Sequence, residues 1–279
     1  MTAGNPPPRL LTIAGSDSGG GAGIQADLKA FAAWGTYGMS ALTAVTAQNT
    51  VAVTGVVTLP PAFVAQQIDA VFEDLGVDAV KIGMLADAAV INAVADRLEY
   101  WLARRAVPVV LDPVMVAKSG DALLADDAVD QLRTRLLPLA TVVTPNLPEA
   151  ERLTGRPLGL GREAERIAAA RVLGAYGPAV LLKGGHDTGP EVADLLFDPR
   201  QPETPRWFRH PRLATRATHG TGCTLSSALA ARLAAGVALE VAVGEAIDYL
   251  QGALAAAWPL GHGHGPVNHF HRVFPAPKP

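Results

Sequence analysis

Short apolar runs recur along this chain, each closed by glycine or a polar residue and followed by a segment with helical spacing. The runs at 10–14, 40–46, 79–84, 107–111, 140–144 and 179–182 read as strands. Segments 24–34, 63–75, 89–104, 127–137, 162–176 and 239–258 read as helices. In the first of these, Ile24, Leu28 and Phe31 fall at i, i+4 and i+7 and mark an inward stripe. Strands and helices alternating in this way predict an α/β fold in three layers: one central, mostly parallel sheet with helices on both faces. A polar, proline-punctuated stretch, 187–207, carries a strand-like piece at 192–197 and reads as β-turns or a hairpin near that sheet. Residues 1–9, with three consecutive prolines, read as a loose tail, and 10–279 as a single domain.

Composition narrows the function. The net charge is −3 with no basic cluster, and the few aromatics (5%) are not interleaved with basic residues. Neither a nucleic-acid surface nor a lipid-binding patch is expected. One cysteine rules out an internal disulfide framework and a cysteine-rich zinc site, and fits a reducing cytoplasm. The most apolar late run, 225–243, is broken by Arg232, Gly236 and Glu240, so no transmembrane helix is expected. The polar, proline-rich start lacks the apolar stretch of a signal peptide.

Open α/β sheets bind ligands beyond the carboxyl ends of their strands. The first strand leads into a glycine-rich loop, 15–23, with neither the GK[ST] ending of a P-loop nor a fitting G-x-G-x-x-G. Asp27 lies on the flank of the first helix's apolar stripe. An inward carboxylate is costly unless hydrogen-bonded, so it is either a partner in a capping or backbone network or an acceptor for a polar ligand ring. Gln48 closes the second strand and reads either as a loop-satisfying amide or as a donor and acceptor for a pyrimidine-like edge. Met84 is core filler or an apolar wall for a flat ligand. Asp112 can reach a metal–phosphate site or serve a turn. Asn146 and Glu149 begin a helix directly after a strand, where they can orient water or Mg²⁺ on a triphosphate or simply start that helix. Lys183, followed by two glycines, can set an ammonium beside a phosphate or mark a turn. The tail histidines, His262, His264, His269 and His271, read as part of a glycine-rich loop closing over the surface.

The sharpest feature is Thr218-His219-Gly220-Thr221-Gly222-Cys223, ahead of an Ala/Leu-rich segment running from Thr224 to about Ala235. It reads as a tight glycine turn delivering a helix N-terminus, whose free N–H groups and dipole would hold an anion. Cys223, the only cysteine, sits at that spot, where a thiol pKa is expected to fall. Asp112, Asn146, Glu149, Lys183 and the Gly220 turn all follow apolar strand runs. Together they suggest phosphoryl transfer assisted by Mg²⁺.

Read as a whole, the sequence resembles the hydroxymethylpyrimidine/phosphomethylpyrimidine kinases of thiamine synthesis, in the ribokinase-like superfamily. The likeness runs from about Leu11 to Phe270. It is carried by Ala14-Gly15-Ser16-Asp17-Ser18-Gly19-Gly20-Gly21-Ala22-Gly23-Ile24-Gln25-Ala26-Asp27, Ala47-Gln48-Asn49-Thr50 and Lys81-Ile82-Gly83-Met84-Leu85. Asp112-Pro113-Val114-Met115, Thr144-Pro145-Asn146-Leu147-Pro148-Glu149-Ala150, Lys183-Gly184-Gly185-His186, His219-Gly220-Thr221-Gly222-Cys223-Thr224 and Gly263-His264-Gly265-Pro266-Val267 complete it.

The resemblance implies a single ribokinase-like domain that phosphorylates 4-amino-5-hydroxymethyl-2-methylpyrimidine, and then its monophosphate, with ATP and Mg²⁺. It implies a pyrimidine pocket at Gly15, Asp27, Gln48 and Met84, and ATP at Asn146, Glu149 and Lys183 with Thr218 and Thr221 of the turn. Glu149 and Asp112 are implied on the metal side, and Gly220, Gly222 and Cys223 as the anion hole. Most ribokinase relatives place an aspartate base where this chain has Cys223; a thiolate there would take the hydroxyl proton. The resemblance further suggests a homodimer. The nearest alternative is a pyridoxal or pyridoxine kinase, and an alternative of another class is a ligand sensor that has lost turnover.

Overall fold

The computed structural model describes residues 6–115, 128–158 and 162–274; the polar loop expected at 118–121 lies outside them. The first half runs β1 (Arg9–Asp17), α1 (Gly23–Ala33), β2 (Tyr37–Gln48), β3 (Val53–Thr58), α2 (Pro61–Ala70), β4 (Ala79–Ile82), α3 (Ala88–Leu102) and β5 (Val109–Leu111). It continues with α4 (Ala128–Gln131), β6 (Val142–Val143), α5 (Leu147–Thr154), α6 (Glu163–Gly174) and β7 (Ala179–Leu182). The hairpin β8 (Glu191–Phe197) and β9 (Arg206–Pro211) follows, then α7 (Thr221–Ala234) and α8 (Leu239–Ala255). Widened turns at Val71–Leu75 and Leu132–Leu136 prolong α2 and α4.

One nine-stranded sheet has the order β3-β2-β1-β4-β5-β6-β7-β8-β9. β2, β1, β4, β5, β6 and β7 are parallel; β3 pairs back antiparallel on one edge, and the β8–β9 hairpin closes the other. The sheet is therefore mostly parallel, as the strand–helix alternation predicts. The apolar pattern announces neither β3 nor β9. All but the first residue of β3 are exposed and no residue of β9 is buried, so neither carries a buried face to set a period.

Period-2 alternation splits each central strand between two apolar layers. Leu11, Ile13, Val80, Ile82, Val109, Leu111, Val180 and Leu182 face the layer of α2 through α6. Leu10, Ala79, Val110, Val142 and Leu181 face α1, α7 and α8. Register pairs Thr12 with Lys81 on neighbouring strands, and the same alternation puts both on the α1/α7 side. Arg9, expected in a loose tail, is placed otherwise. Arg9 already belongs to β1, and its guanidinium grips Asp78 at 2.9 Å, so this residue is anchored rather than loose.

Strand order reverses at β1, with β2 on one side and β4 on the other. The C-terminal ends on either side of such a switch point open a crevice that neighbouring connections do not fill.

Candidate active site

Two glycine turns meet at that crevice. Asp17, the last residue of β1, folds the loop behind it: its carboxylate accepts the N–H groups of Gly19 (2.8 Å), Gly21 (3.1 Å) and Ala22 (2.8 Å). The second turn is pressed against this loop. A Cβ on Gly220 would lie 1.8 Å from the Gly21 carbonyl, and φ is +77° there, so only glycine fits. A buried contact between His219 Nε2 and Asp17 Oδ2, 2.8 Å, joins the two turns. Burial would lift the Asp17 carboxyl, but the hydrogen bonds from His219 and the loop N–H groups hold it below the usual range.

The left-handed Gly220 starts α7 at Thr221, three residues before the expected Thr224. Cys223 therefore sits inside the first turn. No side chain caps this helix start, and the Gly220 carbonyl accepts from Thr224 through both its N–H, 2.9 Å, and its Oγ1, 2.8 Å. The N–H groups of Thr221, Gly222 and Cys223 belong to the first turn, where an anion finds donors. The threonine side chains are engaged within the turn: Thr218 Oγ1 lies 3.0 Å from His264 Nδ1, and Thr221 Oγ1 donates to the Thr218 carbonyl at 3.3 Å. The histidine tail closes over this surface as expected, with His219 bridging to Pro266.

Four of the expected phosphate-side residues converge beside Gly222. Lys183 Nζ donates to Asp112 Oδ1 at 2.8 Å and lies 4.0 Å from Glu149 Oε2. Asn146 and Lys183 form an isolated parallel bridge that continues β6 and β7. A Cβ on Gly222 would reach 3.3 Å from Asp112 Oδ2 and 3.4 Å from Lys183 Nζ, so the turn faces the ion pair directly. Asn146 and Glu149 form a reciprocal capping box on α5: Glu149 N donates to Asn146 Oδ1 at 2.9 Å, and Asn146 N donates to Glu149 Oε2 at 2.8 Å. The helix-start reading of this pair holds, and the cap also sets the Glu149 carboxylate 4.0 Å from the Lys183 ammonium.

The charges follow from burial and neighbours. Burial, opposed by Lys183 and reinforced by Asp112, pushes the Glu149 carboxyl up to about 7. Burial would raise Asp112 too, but the Lys183 and Lys81 ammonium groups bring it below the usual range. Burial would lower Lys183; Asp112 and Glu149 more than reverse it.

On the other side of Cys223, Gly15 leaves room for Met84: a Cβ there would lie 3.0 Å from the Met84 sulfur. Gln48 is half-buried beside the first loop; its N–H donates to Ser18 Oγ at 2.8 Å, and its Oε1 accepts from Thr46 Oγ1 at 3.0 Å. Two expectations need correction. Asp27 has no exposed surface, and its oxygens accept from Thr12 Oγ1 (2.6 Å), Ser227 Oγ (2.7 Å) and Lys81 Nζ (3.0 and 2.9 Å). Those four contacts fill the acceptor sites of a carboxylate, so Asp27 takes the network role and cannot also receive a ligand ring. The Cys223 thiol pKa is not lowered. Burial pushes it up to about 11, with Lys81 opposing, because desolvation of a thiolate outweighs one helix end.

Lys81, Asp17 and His219 carry roles that the sequence reading left unassigned. For Lys81 the signal was present: a lysine inside the apolar strand Ala79-Val80-Lys81-Ile82 must be buried, and a buried ammonium needs a counter-charge. Asp17 and His219 lacked any such signal.

Known proteins resemble this chain over most of its length. The family model described as phosphomethylpyrimidine kinase matches residues 17–268. A hydroxymethylpyrimidine/phosphomethylpyrimidine kinase of Streptomyces coelicolor is 53% identical over 273 residues, covering 96% of this chain and 98% of that protein. Among solved structures, a phosphomethylpyrimidine kinase from Clostridium difficile is 41% identical with a TM-score of 0.76, covering 88% of this chain and 99% of the other. An ADP complex of Bacillus subtilis pyridoxal kinase is 36% identical with a TM-score of 0.85, covering 96% and 100%. With the family model spanning nearly the whole chain and an identity above half, this kinase belongs to the phosphomethylpyrimidine kinase family.

Proposed function

We propose that the protein phosphorylates the hydroxymethyl group of 4-amino-5-hydroxymethyl-2-methylpyrimidine with ATP, and then the resulting monophosphate, in thiamine biosynthesis. One observation carries the reading. The uncapped first turn of α7, which itself carries Cys223, faces the Asp112–Lys183 pair. A transferring phosphoryl group held by Thr221, Gly222 and Cys223 N–H would have an ammonium and a sulfur beside it.

The hydroxymethyl oxygen attacks the γ-phosphorus in line and the bond to the ADP oxygen breaks, while the hydroxyl proton passes to Cys223 in the small fraction that is thiolate below its raised midpoint. Lys183 and the turn N–H groups hold the negative oxygens during transfer. Little covalent work falls to the protein here, so positioning and charge dominate. Gly15, Met84 and Gln48 line the side where a flat pyrimidine ring fits, an apolar wall with one amide that both donates and accepts.

Mg²⁺ suits the acids present. Asp112 and Glu149 offer hard oxygen ligands around one ammonium, and no cluster of three or more His, Cys, Asp or Glu exists among the described residues. A Mg²⁺ ion bound there would share its shell with phosphate oxygens and water, and would neutralise charge on the nucleotide.

A homodimer fits the exposed register pair Val45 and Val57 on the β2–β3 edge, with exposed Val51 in the connection between those strands. Among the described residues no helix is long and apolar enough to cross a membrane. A reducing compartment suits an enzyme whose lone thiol acts in the site.

Pyridoxal as substrate is the competing reading, favoured by the higher TM-score of the pyridoxal kinase structure. Sequence identity weighs the other way, 53% against 36%. The test is kcat/KM for the two alcohols side by side, reading ADP release. Preference for the pyrimidine is expected; preference for pyridoxal would overturn the assignment.

A further inference from the structure

We propose that Lys81 is a positioning residue that stabilises a negative sulfur at Cys223, with Asp27 as its buried counterweight. The argument is one of register. α1 and α7 pack side by side on the same face of the sheet. The two helix starts are pressed together, since a Cβ on Gly220 would lie 3.2 Å from the Ala22 Cα. Further along both helices, Asp27 of α1 accepts from Ser227 of α7 at 2.7 Å. The two helices therefore run in the same direction, and because Ser227 stands one turn, about 5.4 Å, beyond Cys223, the Asp27 carboxylate lies beneath the thiol.

Lys81 enters this gap from the sheet. Its register partner Thr12 also binds Asp27, at 2.6 Å, so both strand side chains converge from below. The ammonium is fully buried and holds both Asp27 oxygens. Burial would lower it, but Asp27, with Cys223 and Asp112 behind, keeps it protonated above the ordinary lysine value. A fixed cation therefore stands under the sulfur, outside the nucleotide crevice. The charged groups facing Cys223 are Lys81 from β4, Asp27 from α1, Asp112 after β5 and Lys183 after β7. Of the two buried partners, Lys81 favours a thiolate and Asp27 disfavours it, so removing them must have opposite effects.

The inference rests on Cys223 as proton acceptor, but its test reads the sulfur directly. Cys223 is the only cysteine and is partly accessible, so iodoacetamide uptake reports this thiol alone. Alkylation rates would be followed from about pH 7 to 10, below the raised thiol midpoint, where the rate tracks the thiolate fraction, in the wild-type enzyme, Lys81→Met, Asp27→Asn and the double variant. Lys81→Met is expected to slow alkylation roughly tenfold or more across this window, as a higher midpoint requires. Asp27→Asn is expected to lower the midpoint and speed alkylation, and the double variant to fall between. Circular dichroism checks that each variant is folded. If Lys81→Met does not fold, Asp27→Asn and the double variant decide. Shifts of the same sign, or none, overturn the proposal. A shifted thiol with an unshifted pH–activity profile supports it and instead overturns the base role of Cys223.

Discussion

His219 Nε2 lies 2.8 Å from Asp17 Oδ2, so one buried contact ties the loop after β1 to the turn before α7 across 202 residues of chain. His219 also donates its own N–H to the Gly265 carbonyl, which brings the C-terminal segment to the same point. The Gly220 turn therefore takes its position from both ends of the chain. Asp17→Ala and His219→Ala are each expected to destabilise the fold and depress kcat. Because they break one shared contact, the double variant should be less destabilised than the sum, by about 1–2 kcal/mol. Urea unfolding of the four proteins checks it; strict additivity would show that the two residues act separately.

Removing the sulfur isolates proton transfer. Cys223→Ala is expected to lower kcat by roughly 10²–10⁴-fold while leaving KM for ATP near its starting value. Full turnover in that variant would take Cys223 out of the base role.

Gly220 and Gly222, two residues apart, should fail in different ways. Gly220→Ala must accept φ +77° and a Cβ 1.8 Å from the Gly21 carbonyl, so a lower Tm is expected. Gly222→Ala adds a methyl 3.3 Å from Asp112 Oδ2 and 3.4 Å from Lys183 Nζ, in the space offered to phosphate. It is expected to fold normally and lose ATP affinity. Thermal melts and nucleotide titration separate the two effects.

His269 gives the fold an acid limb. Its ring is buried 3.0 Å from Thr224 Oγ1, and burial, helped by Lys29, lowers its pKa to about 4. The unfolded chain takes up this proton near about 6.5, before the folded chain does. Stability from the neutral ring is complete above that value and is lost as pH falls from about 6.5 towards 4, amounting to at most about 3 kcal/mol. His269→Gln should flatten Tm across this window. An unchanged acid limb in that variant would mean other groups carry it.

Strand ends are written locally. A four- or five-residue apolar run followed by a polar residue is visible in any window, and it placed Asp112, Asn146, Glu149, Lys183 and the Gly220 turn on one edge of the sheet. The family motifs added the assignment of ATP to one side and pyrimidine to the other. Asp27 was legible as an inward carboxylate, but not its partners, because Thr12, Lys81 and Ser227 come from three separate elements. The direction of the Cys223 shift was misjudged for the same reason. A helix end is a local feature, whereas desolvation depends on everything packed around the sulfur.

The sequence by itself determined the layers, the strand ends and the glycine-led helix start, since each depends on a short-range period or a single backbone conformation. Only the tertiary structure decided which strand ends share a crevice, that Asp17 and His219 meet, and that Lys81 and Asp27 pair beneath the thiol. Those follow from the order β3-β2-β1-β4 and from the register of α1 on α7, and contacts between residues some 200 apart have no short-range trace.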